Sequence, residues 1–469
     1  MTVARGDDAI AAAEAAPVAL VVSVSPGETR VARLEHGRCI AVTCHRPWAA
    51  AAGVVLLGRL GPRLPDRGGA FVDLGPWGDG VLDPADLTGA VPSQGAAVLV
   101  QVRQAARPDA VSGGKGARLT LAPALTSARL ALGGRRPGAA VSRRLPDDAE
   151  RARLLALVKD LVAPGESLVA RTAAAGADSA TLAADLTRLR ADWADLKVRA
   201  AEASSPALLS PAPLDWEAVL SPHDPAPSVV LLDDPAARDT LAADLAHALG
   251  DGAVPPILTH ADSRDLWEAT GVADAVDAAL SPVVPLPGGG RLVIEPTAAL
   301  VAMDVDAGSG PPARANAEAL AMVPAHLRLR GLAGHILVDL IPGGRGPRLT
   351  ATARQALEQA LAADPAAPRL AGISRLGLLE LSRERRGPTL ADMMHGPAAQ
   401  AVAALRDAER EARATVATAL VVTVSPPAAV LLRGPLAPVV ADLRTRRGLT
   451  LKIRQGSVGV DAAPAIGPP

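Results

Sequence analysis

Short apolar runs with a period of two open the chain. VALVVSVS, TRVARLE and RCIAVTC, all within residues 18–45, read as three strands, with Pro26-Gly27 and His36-Gly37 as the turns between them. GVVLLGRL (53–60), GAFVDLG (69–75) and AAVLVQV (96–102) continue the pattern. Five or so short strands within about seventy residues predict a small barrel of the oligonucleotide-binding type.

The period then changes. Residues 147–163 have helical spacing, with the Asp147-Asp148 pair placed as an N-cap. LVART (168–172) reads as a strand, and residues 178–202 as an amphipathic helix with Leu182, Leu186, Leu189 and Trp193 on one face. SSPALLSPAP (204–213) reads as a linker. From residue 228 strands and helices alternate: SVVLLDD, a helix over 235–249, PPILTH, and a helix over 263–280. A hairpin-like pair of strands follows in PLPGGGRLVIEPTAALVAMDVD, then a helix over 312–330, the strand GHILVDLI (334–341) and a helix over 349–363. Residues 373–385 look helix-like, residues 396–415 are helical, and 419–454 read as a small α/β unit. The last residues, DAAPAIGPP, have the composition of a disordered tail.

A length of 469 residues exceeds what one core serves and predicts several domains. The net charge of −1 excludes a dedicated basic nucleic-acid binder, so any polyanion site must be a local patch. Tyr is absent and Phe71 is the only Phe, which leaves base stacking a minor theme. Nearly all basic charge is arginine, the mark of a GC-rich coding bias. Cys39 and Cys44 have neither zinc-ligand spacing nor a disulfide framework, which fits a reduced, cytoplasmic compartment. Neither a secretory leader nor a membrane-spanning run is legible.

Two aspartates carry the candidate chemistry. Asp304 follows the apolar run Leu300–Met303, with Asp306 two residues on, and Asp339 follows Ile336–Val338. A carboxylate at the end of a buried strand is costly unless paired or metal-bound. Two such strands side by side would offer oxygen ligands suited to Mg²⁺ or Mn²⁺. Read alone, the pair is better taken as ordinary strand-end turn aspartates.

The ordered motifs around the pair change that. SVSPGETRVARLEHGR (23–38), GAFVDLGPWGDGVLDPADL (69–87), VSRR (141–144), ART (170–172), PGGGRLVIEPTAALVAMDVDAG (287–308), GHILVDLI and ISRLGLLELSRER (373–385) together resemble the catalytic region of the ribonuclease E/G family. The resemblance implies an α+β multidomain chain. Its parts would be a split RNase H-like subdomain (1–48 and 215–285), an inserted S1-like barrel (49–125) and a 5′-sensor region (126–214). A DNase I-like catalytic subdomain (286–395) and a small C-terminal domain with a disordered tail (396–469) would follow. It implies an Mg²⁺-dependent endoribonuclease acting on single-stranded RNA in RNA processing and decay, including rRNA maturation and mRNA turnover. The expected products carry a 5′-phosphate and a 3′-hydroxyl.

By the same resemblance Asp304 and Asp339 are the metal ligands, and Asp306 falls where the family has an orienting Asn. Arg171 and Thr172 match the pocket for a 5′-monophosphate. Arg143, Arg144, Lys115 and Phe71 match RNA contacts, and Arg375 and Arg383 would neutralise phosphates near the metal. Each has a plainer reading as well: Phe71 as barrel core, the arginines as solvated surface groups.

The chain also departs from the family. Its usual Cys-x-x-Cys is absent from TLADMMHGPAAQAV (389–402), so no structural zinc is expected, and any homodimer is not zinc-bridged by that route. Val81 replaces a second S1 aromatic, Pro342 an acid, and the loop after Asp306 is short. A catalytically weak or inactive RNA-binding relative is therefore the alternative. His335, just ahead of the Asp339 strand, reads as structural or exposed rather than a ligand. PGGGR (287–291) lacks the Walker pattern and reads as a hairpin turn.

Overall fold

The computed structural model describes residues 6–64, 68–88, 92–106, 116–143, 145, 147–211, 214–220, 224–249, 254–260, 264–342 and 349–468. Lys115 and Arg144 lie outside the described residues. The protein is mixed α+β and divides into two compact units: residues 1–45, 214–429 and 439–469 form one, and residues 46–213 and 430–438 the other.

In the second unit, strands Val55–Arg63, Ala70–Asp73, Asp79–Leu82, Ala117–Thr120 and Ala97–Gln104 pair in that order, and the first pairs with the last. That closes a five-stranded barrel. Its alternating inward residues, among them Leu56, Val72, Leu82, Val100 and Leu119, are fully buried. The stretch 204–213, expected as a linker, supplies a further strand, Ala207–Ser210, paired with the first barrel strand. A separate four-stranded sheet runs in the order Gly138–Val141, Ser167–Ala170, Leu130–Gly133, Ala124–Thr126. Helices Asp148–Leu161 and Ser179–Glu202 cover it through Leu154, Val158, Leu182, Leu186 and Leu189. Asp147 caps the first helix, accepting from the amides of Ala149 and Glu150.

In the first unit, the three N-terminal strands share one sheet with Val229–Leu232 and Ile257–Thr259, in the order 257–259, 229–232, 18–25, 28–35, 38–45. The expected helix over 263–280 is broken into Leu266–Ala269 and Val272–Leu280, because Gly271 takes φ of 68° between them. The C-terminal tail corrects its expected disorder. Ala465–Gly467 pairs antiparallel with Ala419–Val424, and Asp461 accepts from the Gly396 amide at 2.7 Å. Its Pro-rich composition hid a segment whose backbone finds a sheet edge.

The remaining sheet positions the candidate site. Its elements are β1 (Val283–Pro285), β2 (Arg291–Pro296), β3 (Val301–Asp306), α1 (Pro312–Leu329), β4 (Gly334–Asp339), α2 (Ala351–Ala362), β5 (Arg369–Ile373) and β6 (Leu378–Arg383). The strand order is β1-β2-β3-β4-β6-β5; β3 and β4 are parallel, joined through α1, and every other neighbour is antiparallel. One face is dry. Leu292, Ile294, Met303, Ile336, Val338, Leu379 and Leu381 pack there against Ala319, Val323 and Leu327 of α1 and Leu357 and Leu361 of α2. The alternate residues, from Arg291 on β2 to Glu380 on β6, are exposed or half-buried.

Residues 373–385, expected as helix-like, are this β5–β6 hairpin. Ser374 and Gly377 close the turn, with Gly377 at φ of 89°. The spacing Ile373, Leu376, Leu379 mimics a helix. The period of two in Leu379 and Leu381 is what the core uses, and Leu376 projects 87 % exposed from the turn.

Candidate active site

The β2–β3 hairpin turns at 297–300, where the Thr297 amide donates to Leu300 O at 2.8 Å; a tight glycine turn joins β1 to β2 and packs against the end of β3. The Leu286 amide donates to Gly290 O and the Gly289 amide to Leu286 O. At Gly290 a Cβ would lie 2.3 Å from the Asp306 carbonyl oxygen, so the close approach of these backbones requires glycine. The PGGGR run is thus a hairpin turn. In the β2–β3 register, Arg291 falls opposite Asp306 and Val293 opposite Asp304.

The parallel pairing of β3 with β4 then places Asp304 beside Asp339, in register on neighbouring strands. In-register neighbours point to the same face, on strands about 4.8 Å apart. Both side chains lie on the wet face and are exposed. Burial therefore does not force a partner on them, contrary to the sequence expectation. What the arrangement creates is two exposed carboxylates side by side, a pair that a shared cation relieves of mutual repulsion.

Asp306 occupies the same face two residues on, but both its oxygens are engaged. Oδ2 pairs with Arg291 Nη2 at 2.7 Å, and Oδ1 accepts from the Gly308 amide at 2.8 Å. The Gly308 amide and then the Arg291 charge hold its carboxyl below the usual carboxylate range. Among the described residues no three His, Cys, Asp or Glu side chains are grouped so as to hold a metal.

Beyond Asp339, Asn316 of α1 clamps the chain: its Nδ2 donates to Ile341 O at 2.9 Å and its Oδ1 accepts from the Ile341 amide at 3.0 Å. Arg375 is exposed in the β5–β6 turn, at the same end of the sheet as Asp339, which pairs with Leu378 at the start of β6. Arg383 is elsewhere. It lies at the far end of β6, buried, and makes a two-pronged pair with Asp364 at 2.8 and 3.0 Å while donating to Leu332 O. Its expected phosphate role is corrected accordingly: the guanidinium is consumed in holding the sheet. His335 is exposed at the start of β4, about 13 Å along the strand from Asp339.

In the other unit, the parallel strands Gly138–Val141 and Ser167–Ala170 bring VSRR and ART together. The hydroxyls of Ser142 and Thr172 lie 3.1 Å apart, Arg171 Nη1 donates to Ser127 O at 2.7 Å, and Arg143 is exposed. Phe71 faces outward from the barrel, 38 % exposed, so it is not core. Its cross-strand partner is Val81, and Arg118 stands in register on the far side of Val81.

Sequence reading missed Arg291, Asn316, Ser142 and Arg118. Arg291 was recoverable by counting across the hairpin from Asp306 once its turn is placed at 297–300. Asn316 carries no such signal, since its partner is backbone.

With the geometry established, comparison with known proteins identifies the family. Residues 128–386, over half of the chain, match the Ribonuclease E/G family, and the protein belongs to it. The match includes Arg171, Thr172, Asp304 and Asp339; Phe71 lies ahead of it. The chain is 31% identical over 312 residues to ribonuclease E of Nostoc sp., covering 62% of this chain and 45% of that protein. It is 26% identical over 356 residues to ribonuclease G of Haemophilus influenzae, covering 69% of this chain and 71% of that protein. Ribonuclease G of Escherichia coli K12 gives 26% over 357 residues, with the same shares. The matched region thus spans under half the length of the Nostoc ribonuclease E. Among the described residues no helix is long and apolar enough to cross a membrane.

Proposed function

We propose that the protein is an endoribonuclease that cuts single-stranded RNA by metal-assisted hydrolysis at Asp304 and Asp339. The observation that carries this is their in-register pairing on the exposed face of the β3–β4 sheet. Two oxygen donors open to solvent fit a hard divalent cation, Mg²⁺ or Mn²⁺, which takes one or two carboxylates and keeps several waters. When bound, such a cation supplies Lewis acidity at a phosphoryl oxygen and makes water a better nucleophile.

The protein's own groups do the rest. Asp304 and Asp339 hold the cation through their carboxylates, and Asn316 fixes the chain that follows Asp339. Arg375, free to swing on its turn, offsets phosphate charge. Arg171 with the Thr172 hydroxyl takes a 5′-monophosphate, which an arginine fork suits. Arg143 contacts the RNA backbone, and Phe71 offers a ring on which one base stacks. Hydrolysis without a nucleophilic side chain leaves a 5′-phosphate and a 3′-hydroxyl.

The test is incubation of the purified protein with a 5′-monophosphorylated single-stranded oligoribonucleotide and Mg²⁺, with product ends read by mass spectrometry. Cleavage lost in Asp304→Ala and Asp339→Ala is the expected result. Absence of cleavage, or equal cleavage by the variants, overturns the hydrolase reading; RNA binding without cleavage would mark an inactive RNA-binding relative.

A further inference from the structure

Asp306 is a further carboxylate on the face that carries Asp304 and Asp339, next after Asp304 along β3, and a free one there would enlarge the ligand set. The hairpin prevents this. Arg291 is the first residue of β2 after the glycine turn and stands directly opposite Asp306. The turn is held in place by close backbone contacts, with the Gly290 position against Asp306 O and the Gly308 position against Gly289 O. Arg291 therefore has little choice of register. Its Nη2 takes one oxygen of Asp306 at 2.7 Å, while the Gly308 amide takes the other.

We infer that Arg291 is a positioning residue that keeps Asp306 out of the metal-ligand set, so that the site takes one divalent cation on Asp304 and Asp339 alone. The inference rests on the metal-site reading of those two aspartates. Its physical basis is charge. Asp306 is the next residue after Asp304 on the wet face of β3; Arg291 cancels its charge, which leaves the in-register pair Asp304 and Asp339 to match a divalent cation. Without Arg291, Asp306 becomes an extra anion beside the pair, attracting metal and repelling the substrate phosphate.

The experiment is a titration of the full-length protein with Mn²⁺, followed by electron paramagnetic resonance of the free ion, across a double-mutant cycle. Arg291→Ala should bind Mn²⁺ about tenfold more tightly than the unaltered protein. Asp306→Asn and the double variant should both stay within about twofold of it, and Arg291→Lys should fall between. In RNA cleavage, Arg291→Ala should raise KM more than it changes kcat, and the double variant should restore KM. The pair is exposed, so its loss leaves folding intact, which a thermal melt checks. Unchanged or weaker Mn²⁺ binding in Arg291→Ala, or tightening that persists in the double variant, overturns the inference. Failure of the underlying reading looks different: Asp304→Ala and Asp339→Ala would then leave Mn²⁺ affinity as it was.

Discussion

Asn316 holds Ile341 by both ends of its amide, one bond to the carbonyl and one to the amide of the same residue. That matched pair of bonds joins the helix behind the sheet to the segment just after Asp339. Asn316→Asp keeps the acceptor but loses the donor and sets a carboxylate oxygen against the Ile341 carbonyl. It should cost about 1–2 kcal/mol in a denaturant melt and lower kcat more than it raises KM. Equal stability and kcat in the variant would remove the clamp from the account.

Arg383 and Arg375, two arginines of one hairpin, should behave oppositely. Arg383→Ala leaves Asp364 buried without its partner and should destabilise the fold by about 3–5 kcal/mol. Arg375→Ala removes an exposed side chain and should leave the melt within about 0.5 kcal/mol, while weakening RNA affinity severalfold. Thermal unfolding together with fluorescence anisotropy on a labelled oligoribonucleotide separates the two.

Phe71 should matter to ligand rather than to fold. Because the ring is on the outside of the barrel, Phe71→Ala should cost less than about 1 kcal/mol, well short of the 3–5 kcal/mol of a core Phe. A loss of about 1–3 kcal/mol in RNA binding is expected if one base stacks there. Unaltered anisotropy titrations would reduce Phe71 to a surface residue.

His326 adds a pH dependence. Burial, with help from the nearby Arg330 and Arg38 charges, lowers its pKa to about 4. Its Nδ1 accepts from Arg330 Nε at 3.2 Å, which only the neutral ring can do. The unfolded value is about 6.5, so the unfolded chain takes up the proton first. The stability that His326 contributes is therefore full above about pH 6.5 and drains away as pH falls toward 4. Between those limits the unaltered protein should lose on the order of 2 kcal/mol more than His326→Gln, allowing for the water that reaches the ring. Parallel denaturation curves for the two proteins at pH 7 and pH 4.5 would reject the assignment.

The sequence was most legible where local pattern and tertiary use coincide. The cap of helix 148–161 follows from Asp147 and the buried face of helix 179–202 from its leucine spacing, and the aspartate pair stood out because each closes an apolar run. Legibility failed where two patterns compete. Ile373, Leu376 and Leu379 suggest a helix, yet the sheet selects Leu379 and Leu381, and only the turn at Gly377 decides between them. It failed also for contacts between distant segments: nothing near Arg383 in sequence announces Asp364, so a residue consumed in a buried pair resembled a free phosphate ligand.

The β1–β6 sheet has one dry face and one wet face, and the aspartates belong to the wet one. The residues that make the sheet fold and those proposed to do its chemistry alternate along the same strands without overlapping. Mutations can then silence the activity while leaving a fully folded protein, and relief of crowded negative charge could even harden it. A lineage of such proteins is free to shed catalysis and persist as a scaffold, because its architecture exacts no penalty for the loss.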